Sequence, residues 1–199
     1  LQEVGMAGRP RQFDIDKAVE SALFLFIEKG YEGATFAELI SAMKISPPSF
    51  YAAFGSKEQL FHRALELYVA RIREIRDEAI AKPNARAVVD HLLHELSKEV
   101  SRDSSAKGCL LVQGALVCSD NAVRVRDELQ REREAMTSAL TKRFRHAENT
   151  GDSSLPGSAD DIARLTTMVI AGLATQAASK VPMDLIDAAI KSYIALFKE

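Results

Sequence analysis

The sequence predicts an all-α fold, and two observations support this prediction. Apolar residues recur at the three- and four-residue spacing of amphipathic helices, and no segment shows the strict alternation of a half-buried strand. Hydrophobic residues form 47% of the 199 residues, which is enough to bury a real core. We therefore expect a folded helical chain and not a disordered one.

The first helix is predicted from an apolar stripe that fits one helix face, made of Val19, Ala22, Leu23, Phe26 and Ile27. Asp14 or Asp16 can cap its start, and Gly30 can end it in the left-handed conformation. A second, short helix begins at Thr35, because Glu38 three residues later completes a capping box. Its inner face is again apolar, and it ends near Lys44.

The stretch SPPSFYAAFGSKEQL, residues 46–60, predicts a third short helix despite its two prolines. Ser46 is a good N-cap, and Pro47 suits the first helical position, where a missing N–H costs nothing. Pro48 is tolerated for the same reason, and Gly55 ends the helix. Two short helices joined by a short turn and braced by a longer helix form a helix-turn-helix.

A long fourth helix is predicted from Lys57 to about Lys82, a stretch without glycine or proline. Ser56 and Gln59 form its capping box. At 1.5 Å per residue the helix spans about 40 Å. It therefore joins an N-terminal domain, residues 1–56, to a second domain, residues 57–199, without a flexible linker.

Every segment beyond Pro83 also has helical periodicity. One loop stands out, at residues 149–158, and Pro182 restarts the chain before the last helix. Apolar stripes mark the helices between these points, and their members include Val89, Leu92, Leu93, Leu96, Val100, Val125, Leu129, Met136, Leu140 and Phe144.

The overall charge does not indicate a nucleic-acid partner. The chain carries a formal net charge of −2, and its first 58 residues, with six bases and eight acids, also sum to −2. Any DNA binding must then depend on where the charges lie.

Membrane and redox signals point to a cytoplasmic protein. The sequence has no apolar run of about 18 residues and no signal peptide. On one helix, Cys109 and Cys118 would lie about 13 Å apart, too far for a disulfide. Free thiols fit a reducing compartment.

From GRPRQFD to GSKEQLF the chain closely resembles the N-terminal DNA-binding domain of the TetR family of transcriptional regulators. The matching motifs are GYEGATFAEL, MKIS and SFYAAFGSKEQLF, in the right order over roughly 55 residues. The remaining residues match the family only in helix count and length, as expected for its variable ligand-binding domain.

The resemblance implies double-stranded operator DNA as a partner, with eight contact residues: Arg9, Arg11, Thr35, Ser46, Pro48, Ser49, Tyr51 and Lys57. The third helix is expected to lie in the major groove with its N-terminal end against the bases. Tyr51 occupies the place of a phosphate-binding aromatic, and the two arginines resemble a minor-groove arm. Thr35 and Lys57 lie at helix N-termini, which favour anions. Capping alone is the alternative role for Thr35 and Ser46.

In the second domain, the resemblance implies a homodimer formed by the last two helices. The expected interface combines small and apolar residues: Ala171, Gly172, Ala174, Ala178, Ile186, Ile190 and Tyr193. Packing within one chain is the alternative. A small-molecule effector is expected among the fourth to eighth helices, in a pocket lined by Phe61, Leu65, Tyr68, Cys109, Gln113 and Met168.

Cys109 follows Lys107 near a predicted helix N-terminus, where a thiol can have a lowered pKa and react with electrophiles or oxidants. Some regulators of the resembling family with a similar GCL segment sense reactive species through this cysteine. A buried, inert thiol is the alternative, and we favour it because LLV follows. We expect Cys118 to be inert as well.

No pattern of residues indicates catalysis, a cofactor or a metal. His91 and His94 lie three residues apart, but neither a cysteine nor another histidine lies near them to complete a ligand set. Motifs for nucleophilic catalysis and phosphate loops are absent from the sequence.

We therefore expect a cytoplasmic, homodimeric DNA-binding regulator, a repressor released from a near-palindromic operator by a small molecule. A cysteine-based redox or electrophile sensor that uses Cys109 is the alternative within this class. An all-α enzyme or interaction module is the alternative outside it.

Overall fold

Eight helices of eight residues or more build the part of the chain that the computed structural model describes, residues 13–103, 108–112 and 123–198. They are α1 (Ile15–Gly33), α2 (Phe36–Met43), α3 (Pro47–Phe54), α4 (Lys57–Ile80), α5 (Ala85–Val100), α6 (Val123–Asn149), α7 (Ala159–Ala178) and α8 (Met183–Ile194). No strand occurs within these ranges, and the predicted all-α fold is confirmed.

An aromatic core joins the first three helices to the start of α4. Phe50 packs edge-on against Phe36, with ring centroids 4.9 Å apart, and lies 5.6 Å from Phe54. Phe61 of α4 packs edge-on against Phe26 of α1 at 5.0 Å. Because aromatic side chains bury large areas, these contacts hold α3 against α2 and the start of α4 against α1.

The short helices begin where local hydrogen bonds satisfy their first N–H groups. Thr35 and Glu38 form both halves of the predicted capping box at the start of α2. Ser46 caps α3 by accepting a hydrogen bond from the N–H of Ser49, and the two prolines occupy the first two helical positions. Ser56 caps α4 in the same way.

Two glycines supply the positive φ angles that separate these helices. Gly30 interrupts α1 with a φ of 72°, and a short turn then carries the helix on to Gly33. Gly55 ends α3 with the same φ value and lets α4 start in a new direction.

The long helix α4 has 24 residues and spans about 36 Å. Arg143 of α6 satisfies its C-terminal carbonyl groups: Nε donates to the oxygen of Ile80 at 3.0 Å, and Nη2 donates to that of Lys82 at 2.9 Å. The end of α4 is therefore fixed to the second half of the chain.

The helices from α5 onward pack as a bundle, with α6 beside α7 and α5 against α4, α7 and α8. A buried hydrogen bond of 2.8 Å joins the hydroxyls of Thr166 on α7 and Tyr193 on α8. Among the described residues, no helix is long and apolar enough to cross a membrane.

Candidate nucleic-acid interface and internal cavity

Half of the predicted DNA contacts lie on α3 or at its N-cap. Ser46, Pro48 and Tyr51 are exposed, Ser49 is half-buried, and the opposite side of the helix is buried in the aromatic core. The Ser46 and Ser49 hydroxyls lie 2.9 Å apart. The exposed side of α3 therefore includes serine, proline and tyrosine side chains, and the aromatic core behind the helix holds it in place.

Tyr51 is 57% exposed, yet its ring has two aromatic neighbours. The ring of Phe36 lies 5.3 Å away and that of Phe50 lies 5.5 Å away, between ring centroids. These contacts limit the rotation of the ring and leave much of the residue open to a partner.

At the start of α2, the capping box is part of a charged group. The hydroxyl of Thr35 donates to Glu38 Oε2 at 2.7 Å, and Lys29 of α1 forms a salt bridge with the same carboxylate. The hydrogen bonds from Lys29 and Thr35 lower the pKa of Glu38 from 4.5 to about 2. Thr35 is exposed, but its hydroxyl is already engaged with a carboxylate.

Lys57 lies where α4 meets the end of α1. Its Nζ sits 4.8 Å from the centroid of the Tyr31 ring and donates to the carbonyl oxygen of Glu32 at 3.4 Å. Partial burial lowers the pKa of Lys57 from its usual value. Arg9 and Arg11, the other predicted cationic contacts, lie outside the described residues.

An apolar cavity of about 270 Å³ lies among α4, α5, α6 and α7. Two of the predicted pocket residues, Cys109 and Met168, line it; Gln113 lies outside the described residues. No sequence pattern marks the other lining residues, because they belong to ordinary apolar stripes or charged faces: Ile72, Leu96, Leu111, Val112, Arg133, Met136, Thr137, Thr167, Ile170 and Ala171.

Three of the residues predicted to line the effector pocket do not line this cavity. Phe61 packs against Phe26 and Tyr31 in the N-terminal core, because its side of α4 faces α1. Leu65 and Tyr68 are buried in the core and are not among the residues that line the cavity.

Cys109 is buried, and burial raises the pKa of its thiol above the usual value. The buried hydroxyl of Tyr68 lies beside the thiol and makes no hydrogen bond of ordinary geometry. The surroundings of Cys109 therefore disfavour the thiolate, the reactive form.

The proposed dimer interface divides into buried and exposed residues. Ala174, Ile186, Ile190 and Tyr193 are buried within the single chain, so they pack between helices and are not exposed to a partner. Gly172 is exposed, and Ala171 and Ala178 are half-buried. Four large apolar residues on α7, on α8 and just after α8 are exposed and were not among the predicted interface residues: Leu165, Met168, Leu185 and Leu196.

A charged network that the sequence did not reveal connects α1 with α4, α5 and Arg102, across the predicted boundary between the two domains. Arg71 of α4 donates to Glu20 of α1 at 2.7 Å and lies 3.7 Å from Glu99 of α5. Arg102 lies 3.3 Å from Glu99 and 3.9 Å from Glu20. Only the Glu99–Arg102 pair has a spacing that sequence reasoning can recognise.

The two histidines of α5 have ordinary partners. His91 lies 3.2 Å from Glu78, and Nδ1 of His94 lies 2.9 Å from the carbonyl oxygen of Asp90. The described part of the chain contains no group of three side chains suited to hold a metal ion.

Comparison with known proteins identifies the class that this fold and interface define. The family model described as bacterial regulatory proteins, tetR family, matches residues 18–64. A cysteine mutant of CifR, a TetR family transcriptional regulator complexed with 26-base-pair double-strand operator DNA, is 37% identical. That structure superposes with a TM-score of 0.83 over 94% of this chain and 98% of its own. The chain therefore belongs to the TetR family of bacterial regulatory proteins.

Two repressors of Escherichia coli K12 are also similar. The transcriptional repressor BdcR is 37% identical over 112 residues, 54% of this chain and 55% of its own length. The repressor ComR is 29% identical over 140 residues, 69% of this chain and 66% of its own length. The matches thus span between half and two thirds of these relatives. The family is one of regulators, so the prediction that the chain is not an enzyme is confirmed.

Proposed function

We propose that the chain is a DNA-binding transcriptional repressor that acts as a homodimer and leaves its operator when a small molecule binds. One observation carries this proposal: the exposed side of α3 lies in a helix-turn-helix, in a chain that matches an operator-bound regulator over 94% of its length.

Operator binding is proposed for the N-terminal domain, residues 1–56, with Lys57 at its border. In a helix-turn-helix the second short helix enters the major groove, and here that helix is α3. Tyr51 is suited to a phosphate contact because it is exposed and its ring is held by neighbouring aromatic rings. Lys57 is suited to one because it is a cation at the N-terminus of α4.

Dimerisation is proposed for the exposed side of α7 and α8. Leu185 is 58% exposed and lines a groove of about 440 Å³ that also includes Gly172. Met168, one helical turn before Gly172 on α7, is 69% exposed. Large exposed apolar residues grouped in this way are typical of an interaction site. A second copy of the chain supplies an equally apolar surface, as a two-fold interface requires.

Effector release is proposed to start at the apolar cavity. Ile72 lines the cavity next to Arg71, and Leu96 lines it one helical turn before Glu99. A ligand that moves these residues also moves the charged network that reaches Glu20 of α1. Occupancy then shifts the population between DNA-binding and released arrangements.

The experiment that tests the proposal is footprinting of the DNA upstream of the chain's own coding region, followed by anisotropy titration. We expect protection of a near-palindromic site and an affinity at least about a thousandfold above that for a scrambled duplex of equal length, the lower end of the usual ratio of specific to non-specific binding. Equal affinity for both duplexes at physiological salt would contradict the proposal.

A further inference from the structure

The chemical composition of α3 is unusual for a helix that reads base sequence. Its eight residues, Pro47–Phe54, include no arginine, lysine, histidine, asparagine, glutamine, aspartate or glutamate. Its exposed residues are Pro47, Pro48, Tyr51 and Ala52. The nearest cations in the sequence, Lys44 and Lys57, flank the helix and do not belong to it.

This composition excludes the common direct contacts from α3. Guanine is read by arginine or lysine, adenine by asparagine or glutamine, and cytosine by a carboxylate. The two remaining polar side chains at the start of α3 are partly satisfied, because the Ser46 hydroxyl lies 2.9 Å from that of Ser49 and accepts the Ser49 N–H. Hydroxyls also bond to any base or phosphate and discriminate weakly.

Apolar contact with the C5-methyl group of thymine is the base contact that remains available. Pro48 and Ala52 are exposed and lie four residues apart, so they share one side of the helix. Both are small, which lets the backbone approach the base edges closely.

We propose that α3 reads its operator through thymine methyl groups, with Pro48 and Ala52 as the contact residues. This inference rests on the proposed function and adds the chemistry by which the operator is recognised. Each methyl group removed from contact costs about threefold to fivefold in affinity, the equivalent of one buried methylene.

The test replaces thymine by deoxyuridine, one position at a time, in the footprinted operator. This change removes the methyl group and keeps the base pair. We expect at least one position in each half-site where affinity falls about threefold to fivefold, measured by anisotropy at fixed salt. Replacing every thymine in a scrambled duplex should leave non-specific affinity unchanged.

Two variants assign the contact to its residue. Ala52→Gly should abolish the difference between thymine and deoxyuridine at one position, because the alanine methyl is gone. Ala53→Gly is the matched control: it makes the same change in helix propensity at the neighbouring half-buried residue, and it should keep the difference.

The outcomes separate this inference from the proposed function. Specific binding that stays within 1.5-fold after every deoxyuridine replacement overturns methyl readout and leaves the repressor proposal intact. Equal affinity for the operator and the scrambled duplex overturns both. If deoxyuridine at a position still lowers the affinity of both Ala52→Gly and Pro48→Ala, neither residue contacts the methyl group at that position, and their assignment is overturned.

Discussion

Arg71 of α4 donates a 2.7 Å hydrogen bond to the carboxylate of Glu20 on α1, across 51 residues of sequence. The same guanidinium lies 3.7 Å from Glu99, whose side chain is only 10% exposed. One cation thus holds two carboxylates that belong to different helices, α1 and α5.

Loss of this cation should destabilise the fold. We expect Arg71→Ala to lower the free energy of unfolding by about 2 kcal/mol, because the largely buried Glu99 loses one of its two cationic partners and Arg102 alone remains. Lys98→Ala is the control: its salt bridge with Glu95 is exposed, so the loss should stay below about 0.5 kcal/mol. Urea unfolding measures both, and equal midpoints for Arg71→Ala and the wild type would contradict the expectation.

Acid should weaken the contact between α1 and α2. The pKa of Glu38 is lowered from 4.5 to about 2, so its ionised form favours the folded state. This stabilisation is complete above about pH 5 and is lost as the pH falls towards 2. Glu38→Gln keeps a capping side chain and removes the charge. The thermal unfolding midpoints of the wild type and Glu38→Gln should therefore differ at pH 7 and converge near pH 2. A difference that stays constant with pH would contradict the stabilising role of the Glu38 carboxylate.

Phosphate anchoring by Lys57 should be visible in the salt dependence of binding. Lys57→Ala should weaken binding to specific and scrambled DNA similarly and reduce the slope of log affinity against log salt by about one. Tyr51→Phe should weaken both without a change in slope, because no charge is lost. An unchanged slope for Lys57→Ala in a salt titration would show that Lys57 does not contact a phosphate.

Dimerisation should fail when charge enters the exposed side of α7 and α8. Gly172→Arg is suited to the test, because a Cβ at Gly172 meets no atom within 4 Å in the single chain. We expect this variant and Leu185→Glu to be monomers by light scattering, with wild-type helicity and no operator binding.

The buried residue Ile190, only 2% exposed, is unsuitable, because a charge there would unfold the chain. Ala70→Glu, at an exposed position of α4, is the matched control and should stay dimeric. A Gly172→Arg variant that is dimeric and binds the operator fully would show that the dimer interface does not lie on this side of α7 and α8.

Cys109 should react slowly. Burial raises its pKa and blocks access, so iodoacetamide at neutral pH should label it much more slowly than in urea. Operator binding should survive Cys109→Ser and mild peroxide. Rapid labelling, together with peroxide release that the serine variant resists, would make the cysteine-sensor alternative the better one.

Local signals in the sequence were sufficient for the elements and their ends. Ser46, the prolines after it and Gly55 act within one or two turns, so their roles are visible without tertiary structure. An apolar stripe shows which side of a helix is buried but not which neighbour it meets. For this reason the sequence predicts Phe61 in the effector pocket and Ile190 at a dimer interface, whereas Phe61 packs against Phe26 and Ile190 is buried within the chain.

The contacts of α4 bear on the exchange of parts between related regulators. A chimera cut at the sequence boundary after Ser56 would separate Phe61 from Phe26 and Arg71 from Glu20. The segment that must be transferred together with the DNA-binding helices, so that they keep their own packing contacts, therefore extends to Arg71. A graft that carries all of the first 71 residues keeps both contacts, whereas a shorter graft must re-create them with foreign side chains.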